Sequence, residues 1–431
     1  MNRRTSRRQF LKAGAAAAAA FTILKRPGLA LGYPANAALR IGCVGVAGRG
    51  ADNLGALLHE EVVALCDVDA AALEGAVMQH PQLAKAAQFR DFRKMVDAGG
   101  LDAVAVSTPD HVHAPAAAYA LHAGLHVYCE KPLCHEIHEV RTLTDLARAK
   151  RRVTQMGTQI HAEPNYRRVV ELVQGGAIGD VTEVHVWVGN DYCGGERPTD
   201  EPPVPPTLDW DLWLGPAPAR PYHSKYAPFG WRGWWDFGTG SLGDMACHHV
   251  DLSFWALDLT HAVSVECDGP PPHRESTPAW LIAKYVMKRK DGTTLPLTWY
   301  HGGKRPPHFA DGRVPKWDGN GTLFVGKKGF LVSDYSRYLL APEKDFAGFT
   351  PPAPSIPDSI GHHKEWTEAC KGNGTPLCRF DYSGPLTEAV LLGGVAYRAG
   401  KKVAWDPVKL TTGDAAADAW LKREYRAGWK L

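Results

Sequence analysis

Residues 39–50 read Leu-Arg-Ile-Gly-Cys-Val-Gly-Val-Ala-Gly-Arg-Gly, and the fold is decided there. Leu39–Val44 reads as a strand, Gly45–Gly50 as a glycine-rich turn and Ala51–Leu58 as a helix. The turn approximates Gly-x-Gly-x-x-Gly, with Ala47 in the second glycine place and Gly48 beside it. In that pattern the first glycine permits the tight turn and the last lets the helix pack closely, so that a pyrophosphate sits on the helix N-terminus. Gly45, Ala47, Gly48, Arg49 and Gly50 are therefore candidate dinucleotide contacts. The Ala47 methyl departs from the pattern, because it stands where backbone would approach phosphate.

Working outward, Val62–Cys66 reads as a second strand that ends in Asp67. A carboxylate about twenty residues past the turn accepts hydrogen bonds from the adenosine ribose and repels a 2′-phosphate. NAD is therefore expected rather than NADP, with Asp69 an alternative acceptor and Arg49 a partial offset. Helices at Ala70–Met78, Ala114–Ala123 and Ile137–Arg148 alternate with strands at Asp102–Ser107, Leu125–Cys129 and Val153–Met156. Such alternation implies a parallel sheet with right-handed crossovers, here over residues 37–158. Ligands bind outside the carboxyl ends of such strands. Ser107, Thr108, Pro109, His111 and His113 follow one strand, and Glu130, Lys131 and Pro132 follow another, so all should line the crevice. His111 and His113 read equally well as solvent-exposed loop residues.

Upstream, residues 1–35 read as an export signal rather than part of the fold. Arg3, Arg4, Arg7, Arg8 and Lys12 precede the apolar run Ala13–Leu24, and small residues follow around Ala30 and Ala35. Ser6–Lys12 resembles the twin-arginine export motif. Without the seven basic residues of 1–35, the chain keeps 42 of its 49 basic residues against 46 acidic ones, a net charge of −4. That balance argues against nucleic-acid binding. No later segment is long and apolar enough to span a membrane. The 9 cysteines lack the close Cys-x-x-Cys spacing of a zinc or redox site, and folding before export argues against a disulfide framework, with a later Cys370–Cys378 bridge left open.

Residues 159–431 read as a second domain. A helix at Glu163–Gln174 and an alternating strand at Val181–Val188 lead into a tryptophan-dense region, where seven of the 14 Trp lie between Trp187 and Trp255. Aromatic faces suit the C–H faces of a sugar ring, so Trp231 and Trp234, with Arg232 between them, are candidate substrate contacts, while most of the tryptophans should be core. Asp244 and His248 lie at i and i+4, on one face of a helix, where a carboxylate can orient an imidazole. His248, His249 and Asp251 diverge around a helix, so no metal is expected. Asp291-Gly292 marks a hairpin between strands at Ala279–Lys290 and Thr293–Tyr300, and further strands follow at Thr322–Val325 and Phe330–Ser333. Gly361–Cys370 and Pro385–Ala399 read as late helices; His362, His363 and Arg305 are polar residues without an evident place.

The glycine turn, Asp67, Thr108–Pro109 with His111 and His113, and above all Glu130-Lys131-Pro132 resemble the glucose–fructose oxidoreductase and inositol dehydrogenase family, Gfo/Idh/MocA. The resemblance implies an NAD(P)-binding Rossmann domain, then an α+β domain with a large open, mostly antiparallel sheet used for assembly into dimers or tetramers. It also implies oxidation or reduction of a sugar, cyclitol or related small carbohydrate, and a cis bond between Lys131 and Pro132. By the same resemblance Lys131 is the active-site lysine and Asp244 with His248 the substrate-side pair. Lys131 would steady the charge on the reacting oxygen, His248 would remove the hydroxyl proton with Asp244 orienting it, and Glu130 would position Lys131 or the ribose.

A periplasmic destination offers no obvious soluble NAD pool, so a tightly held cofactor travelling with the folded chain is expected. Two other classes stay open: an NAD-dependent glycoside hydrolase that oxidises, eliminates and re-reduces, and a non-catalytic NAD- or sugar-binding protein on the same fold. Replacing Arg7 and Arg8 by Lys is expected to leave uncleaved precursor in the cytosol. Unchanged export in a strain lacking the twin-arginine translocase, followed by fractionation and immunoblotting, would refute the assignment.

Overall fold

Strand β1 (Arg40–Val44) is buried after its first residue and lies at the middle of a six-stranded parallel sheet. The structure, a computed structural model, describes residues 38–310 and 312–431, so the signal segment read at residues 1–35 lies outside the described residues. The sheet partners of β1 are β2 (Glu61–Cys66), β3 (Ala87–Phe89), β4 (Ala103–Val106), β5 (His126–Cys129) and β6 (Thr154–Met156), in the order β3-β2-β1-β4-β5-β6. The strand order reverses between β1 and β4, and that is where an open α/β sheet places its ligand crevice.

Helices α1 (Arg49–Leu57), α2 (Ala70–Gln79), α3 (Phe92–Asp97), α4 (Asp110–His122) and α5 (Ile137–Lys150) fill the crossovers. Strand β3 and helix α3 were not read from the sequence, because three and six residues are too few to show a period. Helix α4 starts four residues before the run of alanines that marks it, since Asp110 follows Pro109 at its N-terminus.

After α6 (Pro164–Gln174), a second sheet of eight strands is built from β7 (Val181–Trp187), β8 (Leu259–Asp268), β9 (Leu281–Arg289), β10 (Thr294–His301), β11 (Gly321–Gly326), β12 (Gly329–Ser333), β13 (Tyr338–Ala341) and β14 (Val403–Ala404). Its order is β13-β12-β11-β7-β10-β9-β8-β14, and every neighbouring pair is antiparallel except β7 with β10. The mostly antiparallel sheet expected from the resemblance is therefore present.

Alternation along β7 divides its residues between two faces. Val184 and Val186 join the core that includes Leu242, Ala246 and Val250 of helix α8 (Gly240–Ala256), which follows the short α7 (Trp210–Leu214). Trp187 joins a separate cluster with Tyr300, Val314, Trp317, Leu323 and Val332 on the opposite face. Helices α9 (His362–Cys370) and α10 (Phe380–Ala399) complete the helical layer; α10 begins five residues before Pro385, so the proline sits in its second turn rather than at its start.

All nine cysteines are free, seven of them buried, and the Cys370–Cys378 bridge left open by the sequence is not formed. Burial pushes the Cys43 and Cys247 thiols up to about 12, so little thiolate exists near neutral pH. Only Cys193 is exposed, with Cys267 intermediate. The native chain is expected to show one fast-reacting thiol in a disulfide-exchange titration, lost in Cys193→Ser, and all nine after denaturation. Three or more fast thiols in the native chain would contradict the packing.

Candidate functional site

Three strand ends converge at the switch point. The loop after β1 is shaped by glycine: Gly45 has φ 80°, and a Cβ there would lie 2.5 Å from the Ser107 carbonyl oxygen, so only glycine lets the ends of β1 and β4 approach. Gly48, with φ 53° and ψ −124°, is the N-cap of α1 and supplies no side-chain cap; Gly50 and Ala51 turn their N–H groups to the Ala47 and Gly48 carbonyls at 2.9 and 3.0 Å, so what the helix end offers an anion is the backbone of Gly48 and Arg49. Ala47, Gly48 and Arg49 are all exposed at this helix end, as a pyrophosphate cradle requires. Asp67 sits beside the loop, where its carboxylate accepts the N–H of Val46 and that of Asp69, both at 3.0 Å. Burial raises the Asp67 pKa, and those two N–H groups work against the rise. The dinucleotide fits this set of residues: glycine-lined backbone at a helix N-terminus, and a carboxylate at the end of the neighbouring strand.

Glu130 is buried and its oxygens are occupied. Asn53 Nδ2 from α1 donates to Oε1 at 2.9 Å, Gln159 Nε2 donates to the same atom at 2.7 Å, and the Lys131 N–H donates to Oε2 at 3.2 Å. Asn53 Nδ2 also donates to Ser107 Oγ at 2.9 Å, and Asn53 Oδ1 lies 2.9 Å from His363 Nε2. A Cβ on Gly157 would lie 2.5 Å from Glu130 Oε1, so the carboxylate presses against bare backbone. Glu130 is thus an anchor that ties the end of β5 to α1 and to the chain after β6. His363 finds its place here, stacked on Tyr128 with ring centroids 5.1 Å apart.

Beyond this anchor and the cis Lys131–Pro132 bond, the Lys131 side chain crosses to α8. Its Nζ donates to Asp244 Oδ1 at 2.6 Å and to the Asp244 carbonyl at 3.0 Å. Arg232 Nε donates to the same Oδ1 at 3.0 Å, and its guanidinium lies 4.2 Å from the Trp231 ring. Burial would raise the Asp244 carboxyl, but the two cations outweigh burial and hold it well below the usual carboxylate range. Burial likewise opposes the Lys131 ammonium, yet Asp244 and then Glu130 outweigh it, and the Lys131 pKa lies above the ordinary lysine value.

This geometry corrects the pairing read from the i, i+4 spacing. Asp244 binds Lys131 and Arg232, and the structure records no hydrogen bond from it to His248, because the carboxylate turns toward the two cations. His248 is buried, and its Nδ1 has no hydrogen-bond partner among the described residues. Burial, followed by the charge of Lys131, pushes its pKa well below the ordinary histidine value, so the ring is neutral at pH 7. Tyr335, which the sequence did not single out, lies against it with ring centroids 6.2 Å apart, and its hydroxyl is also buried without a partner.

Several other expected contacts lie elsewhere. Both ring nitrogens of His111 face backbone carbonyls, those of Phe237 at 3.2 Å and Trp213 at 2.9 Å, so this fully buried ring braces the chain instead of lining the crevice. His113 does the same between the carbonyls of Pro132 and Thr108, each at 2.8 Å, and so supports Lys131 from behind. Trp234 is 1% exposed, packs on Tyr226 and donates its indole N–H to the Lys225 carbonyl at 3.1 Å; it belongs to the core. His249 stacks on Tyr335 at 4.5 Å, while Asp251 accepts from Tyr382 Oη at 2.6 Å and meets His161 Nδ1 at 2.8 Å, so His248, His249 and Asp251 do not converge. Arg305 donates to the carbonyls of Trp317 and Gly319, and His362 Nε2 lies 3.0 Å from the Met156 carbonyl.

Family models agree with this arrangement. One described as the oxidoreductase family, NAD-binding Rossmann fold, matches residues 39–158, and one described as the oxidoreductase family, C-terminal alpha/beta domain, matches residues 167–314. The chain belongs to the Gfo/Idh/MocA oxidoreductase family. A twin-arginine translocation pathway signal sequence matches residues 1–23, which supports export by that route. Among curated relatives, levoglucosan dehydrogenase of Pseudarthrobacter phenanthrenivorans is 24% identical over 257 residues, 57% of this chain and 59% of that protein. Inositol 2-dehydrogenase 1 of Saccharopolyspora erythraea is 31% identical over 152 residues, 34% of this chain and 44% of that protein. The matched stretches thus span about half the length of these relatives. The solved WlbA dehydrogenase of Bordetella pertussis, in complex with NADH and UDP-GlcNAcA, shares the fold, with TM-score 0.61 at 18% identity over 86% of this chain and 99% of that one.

The Lys131–Asp244–Arg232 cluster has a measurable consequence. The side chains of Lys131 and Asp244 are 10% and 8% exposed and that of Arg232 19%, so removing the carboxylate leaves two cations facing each other with little access to water. Asp244→Ala is expected to cost about 3 kcal/mol of unfolding free energy, read by denaturant titration near neutral pH. Because the Asp244 pKa is depressed in the native state, its contribution is present above about pH 4 and lost as pH falls through the native value. The raised Lys131 pKa adds stability that is lost only as pH rises through its native value. A change below about 0.5 kcal/mol would mean that the cluster is screened by solvent.

Proposed function

We propose that the chain is an exported NAD-dependent oxidoreductase acting on a ring carbon of a sugar, cyclitol or related carbohydrate, with residues 37–158 holding the cofactor and residues 159–431 the substrate. The observation that carries this is the meeting of Lys131, from the end of β5, with Asp244 on α8, one helical turn before the neutral His248. The levoglucosan and inositol dehydrogenases among the relatives support a small carbohydrate as substrate, and the NADH in the WlbA complex supports NAD. Asp67 favours NAD over NADP, because a 2′-phosphate would meet its carboxylate.

Bound nicotinamide dinucleotide supplies the hydride acceptor or donor; the rest of the chemistry belongs to the chain. Two of the three Lys131 N–H bonds go to Asp244, which aims the ammonium and leaves one donor for the reacting oxygen. His248 is neutral and can therefore take the hydroxyl proton as a base. Asp244 acts through Lys131 and is a positioning residue. Tyr335 and the Arg232–Trp231 pair border the same place and are proposed to hold substrate hydroxyls.

The purified chain is expected to release NAD on denaturation, identified by mass. With anhydrosugar and cyclitol probes, Lys131→Ala and His248→Ala should each slow single-turnover reduction of bound NAD by about a hundredfold to ten-thousandfold without releasing it. The wild-type rate should fall in acid through a pKa below the ordinary histidine value, since only neutral His248 accepts a proton. Mainly NADP, near wild-type rates in both variants, or an acid limb above pH 7 would overturn the proposal.

A further inference from the structure

We propose that Glu183, His185 and His308 form a zinc-binding site on the face of the eight-stranded sheet turned away from α8. Glu183 and His185 stand at i and i+2 on β7, so both project to the face that carries Trp187. His308 comes from the short turn Pro307–Phe309, in the segment between β10 and β11. His308 Nε2 lies 3.2 Å from Glu183 Oε1, and His185 Nε2 lies 3.6 Å from Glu183 Oε2. Among the described residues these three are the one group of His, Cys, Asp or Glu side chains whose ligand atoms all lie within 4.8 Å of one another.

The spacing suits zinc. Bonds of about 2.0–2.1 Å in a tetrahedron set ligand atoms about 3.3 Å apart. Two imidazoles and a carboxylate form a donor set that zinc accepts, with a fourth position left for water. Metal-bound histidines characteristically engage the second ring nitrogen with a polar neighbour, and His185 Nδ1 lies 3.0 Å from the Tyr300 hydroxyl. His185 Nε2, the nitrogen that faces Glu183, is buried with no hydrogen-bond partner, and both imidazole side chains are at least nine-tenths buried. Glu183 is 38% exposed and gives an ion a way in. Arg313 brings a positive charge into the neighbourhood, so an ion would be held by ligand bonds rather than by a field of carboxylates.

The site lies across the sheet from the proposed catalytic residues. Thr322, one residue along β11 from the Leu323 that pairs with His185, faces the other way and donates to the His249 carbonyl at 3.2 Å. Zinc would therefore clip the segment around His308 onto β7, adding to the Trp187 indole N–H, which holds the Gly319 carbonyl at 2.8 Å.

The test uses the exported chain without an affinity tag, stripped with a chelator and titrated with zinc chloride. About one zinc per chain is expected, with a raised melting temperature and unchanged NAD content. Glu183→Gln and His308→Gln should each weaken zinc binding at least tenfold, while His261→Gln, on β8, should not. X-ray absorption of the wild-type zinc complex needs no variant and should count about two imidazoles. No zinc bound at about 100 µM, equal binding in wild type and both variants, or a shell of sulfur or of oxygen alone would overturn the proposal.

Discussion

A buried ammonium resting on a buried carboxylate holds the centre of this protein together. Lys131 leaves the end of a strand of the six-stranded sheet and ends on Asp244 of α8, which packs on the eight-stranded sheet, so one ion pair bridges the two layers. Buried charge is tolerated only when it is paired and hydrogen-bonded, and the surroundings meet that condition. Arg232 gives Asp244 a second cation, and its own guanidinium lies over Trp231. At the other end, Glu130 is clamped by Asn53, Gln159 and the Lys131 N–H, with Gly157 leaving room for its carboxylate. His113 supports the same strand end through the Pro132 carbonyl. The lysine is delivered by a rigid mount at both its backbone and its tip.

The same placement sets three protonation states within a few side chains of each other. Asp244 is held ionised by its two cations, and Lys131 is held charged by Asp244. His248, one turn along α8, is kept neutral by burial and by the positive charge of Lys131. A fixed cation beside a neutral imidazole is a suitable arrangement for taking a proton from a hydroxyl while steadying the charge left on oxygen. An Asp–His pair would have favoured the protonated imidazole instead, so the observed pairing of Asp244 with Lys131 changes what His248 can do.

The eight-stranded sheet separates two environments through the alternation of β7. Val184 and Val186 support α8 and with it the proposed catalytic residues, while Glu183, His185 and Trp187 face the opposite side, where the chain between β10 and β11 folds back. One strand thus supports the helix that carries the proposed catalytic residues on one face and presents proposed metal ligands on the other.

Much of this was legible in the chain itself. The glycine turn, the alternation of strands and helices, and Asp67 at the end of β2 are local patterns, and local sterics and hydrogen bonding fix them whatever packs around them. Lys131 could be singled out by its place at a strand end, and Asp244 by its helical spacing to His248, without knowledge of the fold. The partners could not. The i, i+4 spacing put Asp244 beside His248, but a carboxylate turns toward the strongest field it can reach, and two cations from residues 113 and 12 positions away supply it. His111 and Trp234 looked like ligand contacts, yet burial among Trp213, Phe237 and Tyr226 made them core. Asn53, Gln159, His363 and Tyr335 carry no motif and meet the site only through chain separations that folding closes. Sequence determined which elements form and which charged groups stand at their ends. Tertiary structure alone decided which charges face each other, because Coulomb energy and desolvation depend on distances in space that no local pattern encodes.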